Sequence, residues 1–193
     1  MSESDVLLTE DEQVELARLM EKRALHPRQR VTLDLFLAGI KVHTSNSSEV
    51  AILRHGSNGL EIYLLQRPEN DPFYAGEWHM PGVMLFYDEL IHDGAVRAMK
   101  EALKEEVDPS TIPPHHQVFE WLMGNKSGHC PRGHTVCFLH TIIVSEEHAW
   151  KLTKGQFFPL KSTPTPMIEV HGRYLTWLRA NLQSVLNRHR QLV

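Results

Sequence analysis

The sequence predicts a mixed α/β (α+β) domain preceded by a helical extension, on three observations. Val50-Ala51-Ile52-Leu53 and Ile62-Tyr63-Leu64-Leu65 flank the turn signal Gly56-Ser57-Asn58-Gly59, which is a β-hairpin pattern. From Asp88 to Val107 the apolar residues Val96, Met99, Leu103 and Val107 recur at helical spacing and form one narrow stripe, with Arg97, Glu101 and Glu105 on the other side. Two further strand-like runs, Val118 to Met123 and Thr135 to Val144, precede a closing helix from Glu169 to Arg190 that turns Val170, Tyr174, Leu178, Leu182 and Val185 inward.

The extension, residues 1–43, reads as helical, and residues 44–193 as the domain. Thr9-Glu10-Asp11-Glu12 is a capping box that opens an apolar periodicity through Val14, Leu16, Ala17, Leu19 and Met20 and runs out near His26-Pro27. Pro27 is suited to start a second helix through Val31, Leu33, Leu35, Phe36 and Ile40, with a strand as the alternative for its latter half. The apolar face of this extension is too long to leave wet, so it is expected to pack on the domain or on another subunit, a homodimer being one form of the latter. Thr44-Ser45-Asn46-Ser47-Ser48 reads as a short connection.

With 193 residues the chain suits one compact domain plus an extension, and a large multidomain enzyme is excluded. Hydrophobic residues at 41% and charged residues at 23% are those of a folding globular chain. The net charge of -4 offers no footprint for a nucleic-acid backbone, so no nucleic acid is expected and a phosphate ligand needs a local site or a metal. No apolar run approaches a membrane span, and the acidic start is unlike a signal peptide, so no membrane partner and a cytoplasmic location are expected. Cys130 and Cys137 are too few for a disulfide scaffold and are expected as thiols.

The chemistry concentrates in Gln66-Arg67, then Gly76-Glu77-Trp78-His79-Met80-Pro81-Gly82, then Asp88-Glu89 and the helix with Val96-Arg97-Ala98-Met99-Lys100-Glu101-Ala102. This stretch resembles the Nudix hydrolase family, whose signature is G-x5-E-x7-R-E-U-x-E-E-x-G-U, U being a bulky aliphatic residue. Gln156-Phe157-Phe158-Pro159-Leu160 resembles a late segment of the same family. The resemblance covers roughly residues 48 to 190 and implies an α/β/α sandwich with a mixed β-sheet. It also implies magnesium as cofactor, held by glutamates of a loop-helix-loop, and a nucleotide-like small molecule as ligand. Carboxylates at i, i+3 and i+4 of one helix can share hard cations, and these neutralise a diphosphate and activate a water.

The signature is degenerate. Placing Glu89 on its first glutamate puts Arg97 on the arginine and Glu101 on the first of the E-E pair, but Val83 falls on the glycine, Ala98 and Ala102 on two of the glutamates, and Lys104 on the late glycine. The resemblance assigns structural roles to Gly82, Glu89 and Arg97, the last holding the loop through its guanidinium donors. Two readings of the acidic face stand side by side. In one, Glu101 and Glu105, with Glu89, hold magnesium in an unusual arrangement and Glu101 and Glu105 act in catalysis. In the other, Glu101, Glu105 and Glu106, interleaved with Lys100 and Lys104, form a solvated helix face.

Two functions follow from different classes. The first is magnesium-assisted hydrolysis of a nucleoside diphosphate linked to another moiety, expected to be weak or absent. The second is a fold that has lost hydrolysis and binds a ligand or a partner. The run His129-Cys130-Pro131-Arg132-Gly133-His134-Thr135-Val136-Cys137 holds four soft-metal ligands but lacks the matching half of a zinc site, and reads as a hairpin loop.

Overall fold

The computed structural model describes residues 8–26, 29, 31–123 and 129–190. Helices α1 (Glu10–Ala24) and α2 (Leu33–Val42) are followed by strands β1 (Ser45–Gly56), β2 (Gly59–Gln66), β3 (Trp78–His79) and β4 (Gly82–Met84), then α3 (Ile91–Leu103). Strands β5 (His116–Met123), β6 (His129–Cys130) and β7 (Thr135–Ile143), the short helix α4 (Glu146–Lys151), β8 (Gln156–Pro159) and α5 (Glu169–Arg190) complete the chain.

One mixed sheet runs β3-β2-β1-β7-β5-β6, with β4 on β1 and β8 on β2. The long β1 is its spine: it pairs parallel with β7 from Ser45 to Leu53 and antiparallel with β4 and then β2 along its other edge. Alternation along β1 splits the core in two, as a period of two requires. Val50 and Ile52 join Val96, Ala98, Met99, Ala102 and Leu103 of α3 on one face. Ala51 and Leu53 join Tyr174, Leu175, Leu178 and Val185 of α5 on the other. This is the expected α/β/α sandwich, and the predicted hairpin closes at the pair Gly56↔Gly59.

Several expectations need correction. The polar run at Thr44–Ser48 is strand from Ser45 on, because its backbone is claimed by β7 and β4. Helix α3 is shorter than its apolar stripe: it ends at Leu103 because Lys104 takes a left-handed conformation (φ 60°). Glu105 therefore lies beyond the helix, although Val107 still packs against the α3 core. The second helix starts at Leu33 with Thr32 as its N-cap, its side chain accepting from the Leu35 amide; Pro27 lies outside the described residues. Helix α1 carries the predicted capping box between Thr9 and Glu12, and none of its residues is buried within this chain. Among the described residues no helix is long and apolar enough to cross a membrane.

Candidate functional site

The two faces of the sheet carry two different sites. On the α3 face the helix orders the loop before it. Arg97 forks onto Glu89, Nε donating to Oε1 at 2.8 Å and Nη2 to Oε2 at 2.7 Å, and Nη2 also donates to the Met84 carbonyl at 2.7 Å. The Phe86 amide donates to the same Glu89 oxygen at 3.1 Å, and the guanidinium lies 4.3 Å from the centre of the Phe86 ring. Glu89 is only 7% exposed and Arg97 26%. Paired charge in so dry a setting holds the guanidinium above its usual range, its bonds to Glu89 being the main cause. Glu89 is thus committed to the loop, as a bidentate carboxylate with little left to offer a cation.

The other carboxylates of this face do not gather. Glu101 is 62% exposed and its Oε1 stands 3.5 Å from Arg97 Nη1. Glu105 pairs with Lys151 of α4 at 3.0 Å, and Glu106 with Lys100. Ala98 and Ala102, where the resemblance expects glutamates, are 2% and 4% exposed and belong to the α3 core. A hard divalent cation bridging a diphosphate needs several oxygen ligands. Here α3 presents Glu101 and, two turns earlier, Asp93, and among the described residues no three histidine, cysteine, aspartate or glutamate side chains are arranged to hold a metal ion. The residues present do not fit a magnesium centre.

On the α5 face a small cleft of about 50 Å3, open to solvent, lies between the sheet, α5 and α2. Its floor is Ser47 and Glu49 of β1, one wall is His171 and Tyr174 of α5, and Phe36 and Ile40 of α2 close it from above. Tyr74 of the loop after β2 and Arg132 of the turn after β6 stand at its side. The neighbouring loop is built by Asp71, whose Oδ1 accepts from the Phe73 and Tyr74 amides at 3.0 Å each, and by Gln66, which donates to the Gly76 carbonyl at 2.9 Å. Glu49 faces Gly82 across the β1–β4 pair, and a side chain at Gly82 would collide with its carboxylate. That is the structural use of this glycine.

Electrostatics sets the cleft apart. Burial pushes the Glu49 carboxyl up to about 8, against the pull of Arg132, Arg67 and the Ser47 hydroxyl. Burial likewise holds His79 down at about 4 and His171 well below the ordinary histidine range. Both imidazoles are therefore neutral, with tautomers set by their partners. His171 Nδ1 accepts from the Met80 amide at 3.2 Å, and His79 Nδ1 donates to the Met80 carbonyl at 2.7 Å. Burial and the charge of Arg132 depress Arg67. Of these groups Glu49 and His171 line the cleft, which makes it a candidate site.

Of the residues singled out in the sequence, Glu89, Arg97 and Glu101 meet and Glu105 does not join them. Sequence reasoning missed Glu49, Arg132, Tyr74 and His171 as a group. Glu49 falls between the run read as a connection and the predicted strand Val50–Leu53, so no local signal marked it. The run from His129 to Cys137 supplies Cys130 and Arg132 to the cleft, while His134 bonds Glu120 at 2.8 Å. Both cysteines are buried free thiols.

No protein-family model matches the sequence, and no curated protein matches it. Solved structures do. A mutT/nudix family protein from Listeria innocua aligns at 20% identity and a TM-score of 0.56, over 72% of this chain and 94% of that one. The NUDIX domain of Shewanella oneidensis NrtR, in complex with ADP ribose, aligns at 17% and 0.51 over 79% and 99%. NrtR in complex with a 27mer DNA is matched over 62% of its length, at 19% identity and a TM-score of 0.52. The C-terminal domain of mouse MUTYH, in complex with human PCNA, aligns at 13% and 0.55 over 74% and 91%. At such identities the likeness carries the fold alone, and the chain has the Nudix fold.

Proposed function

We propose that the chain is a Nudix-fold binding protein for a nucleotide-like small molecule, in which diphosphate hydrolysis is weak or absent. The carrying observation is the burial of Ala98 and Ala102 in the α3 core, which removes two of the carboxylates that hydrolysis would need and leaves α3 with Glu101 and, two turns earlier, Asp93. The α5-face cleft supports the binding half of the reading through its aromatic lining and Arg132. That a neighbour of this fold binds ADP ribose makes that molecule the natural first probe.

The test is calorimetric titration of the chain with ADP ribose, alongside chromatographic detection of AMP. Binding without turnover supports the proposal; release of AMP at an ordinary enzymatic rate refutes it. Glu101 favours one second reading, magnesium-assisted hydrolysis at low rate, because its carboxylate is open to solvent and next to Arg97. In that reading Glu101 is the principal metal ligand, Glu89 and Glu105 would have to leave their partners to help it, and Glu101→Gln abolishes whatever turnover exists.

A further inference from the structure

Resting on the reading of the cleft as the ligand site, we infer that α2 is a lid on that cleft, hinged at His43, which swings off the β1 floor to admit the ligand. As it stands the cleft holds about 50 Å3, room for a few water molecules, whereas small-molecule sites run to roughly 300–1,000 Å3. A nucleotide therefore enters only when a wall moves. Three of the walls are fixed. Ser47 and Glu49 lie on β1 where it pairs with β4 along one edge and with β7 along the other. Tyr174 is buried with its hydroxyl accepting from Trp121 Nε1 at 2.9 Å, and His171 takes the Met80 amide. Tyr74 is buried too, and its amide is tied to Asp71.

The fourth wall is held differently. Among the described residues no hydrogen bond joins α2 to the domain; the bonds at its ends, from the Leu35 amide to the Thr32 hydroxyl and from the His43 amide to the Gly39 carbonyl, stay within the helix. Its contribution to the cleft is Phe36 and Ile40, while Leu33, Leu35 and Val42 are exposed. The Phe36 ring centre lies 5.8 Å from the Arg132 guanidinium, near the limit of such contacts. The Ile40 carbonyl rests against Gly133, where a side chain would strike it. A segment with so few buried apolar groups and no bonds across its seat opens far more readily than the whole fold. The pivot is defined as well. Thr44 Oγ1 is 3.1 Å from His134 Nδ1, and the Ser45 amide donates to the His134 carbonyl at 2.8 Å, so the chain is anchored from Thr44 onward. His43, extended (φ -128°, ψ 143°) and exposed, is the single link between that anchor and the helix. Phe36 and Ile40, one turn apart on the same face, leave the cleft together.

The experiment uses the two native thiols of the full chain. Cys130 is buried in the lining of the cleft, and Cys137 is buried in β7 between β1 and β5. Alkylation by iodoacetamide under native conditions, followed site by site by mass spectrometry, reads lid opening at Cys130 and global unfolding at Cys137. The expected result is that Cys130 reacts at least about tenfold faster than Cys137, that Phe36→Ala and Ile40→Ala each raise this ratio about threefold or more, and that Leu35→Ala on the outer face leaves it unchanged. Because each variant is read against its own Cys137, a general loss of stability does not mimic opening. Equal rates at the two thiols of the wild type overturn the lid, as does a ratio that ignores Phe36→Ala and Ile40→Ala or responds equally to Leu35→Ala. The labelling is then repeated with ADP ribose. Slower alkylation of Cys130 alone supports the lid and the nucleotide reading together. The expected ratios with no effect of ADP ribose leave the lid standing and overturn the nucleotide reading; protection by ADP ribose without those ratios does the reverse.

Discussion

Replacing Glu89 with Gln separates a structural carboxylate from a metal ligand. The substitution removes one acceptor oxygen and the negative charge from a group that receives two guanidinium bonds and the Phe86 amide while only 7% exposed. Breaking a buried pair by altering one partner costs about 3–5 kcal/mol, and the lower end applies here because Arg97 keeps the Met84 carbonyl and the nearby Glu101. For a chain of this size about 3 kcal/mol corresponds to a fall in Tm of roughly 6–12 °C. Urea unfolding of Glu89→Gln, Arg97→Met and the double variant closes a cycle, in which a coupling of about 2 kcal/mol or more is expected. Magnesium should not change it. A coupling below about 0.5 kcal/mol, or a Glu89→Gln variant of unchanged stability with lost magnesium affinity, would refute the reasoning.

Other outcomes follow from the same physics. Glu49 has its carboxyl raised to about 8 from 4.5, so the folded state holds the proton more tightly than the unfolded one; its contribution is fully present below about pH 4.5 and is lost as pH rises through 8. Glu49→Gln should therefore match the wild type near pH 4 and exceed it at pH 9, with a ceiling of about 5 kcal/mol, and urea midpoints that stay parallel across that range would contradict this. Ala98→Glu and Ala102→Glu force a carboxylate into the α3 core and should each cost about 2–4 kcal/mol in urea unfolding; unchanged stability with gained magnesium-dependent turnover would show that face to be open. Gly133 has φ 138°, and a side chain there would strike the Ile40 carbonyl, so Gly133→Ala should lose about 1–3 kcal/mol and speed hydrogen exchange over residues 33–42; unaltered exchange would mean that α2 is not anchored by this turn.

What the sequence made legible was what periodicity and turn chemistry encode locally. The Gly56–Gly59 hairpin, the stripe of Val96, Met99 and Leu103, and the bounds of α5 need only neighbours within a few turns of chain. The end of α3 did not show, because Lys104 adopts a left-handed cap usually given to glycine, and the acidic run after it prolongs the helical pattern on paper. Glu105 falls on the helix face in the sequence pattern for that reason, whereas it lies beyond the end of α3. The cleft was invisible for another: Phe36, Glu49, Tyr74, Arg132 and His171 come from five distant segments, and only the placement of β1 between β4 and β7 brings them together. Composition could not reveal it either, since an arginine and a glutamate lining one cavity leave no trace in a net charge of -4.

The most direct test of the central claim, a binding cleft on the sheet face opposite α3 in a chain with weak or absent hydrolysis, is titration with ADP ribose in chelator and again in millimolar magnesium, with products followed in both. The account predicts the same affinity in the two solutions and no release of AMP. Binding that appears only with magnesium, accompanied by AMP at an ordinary enzymatic rate and abolished by Glu101→Gln, would contradict it.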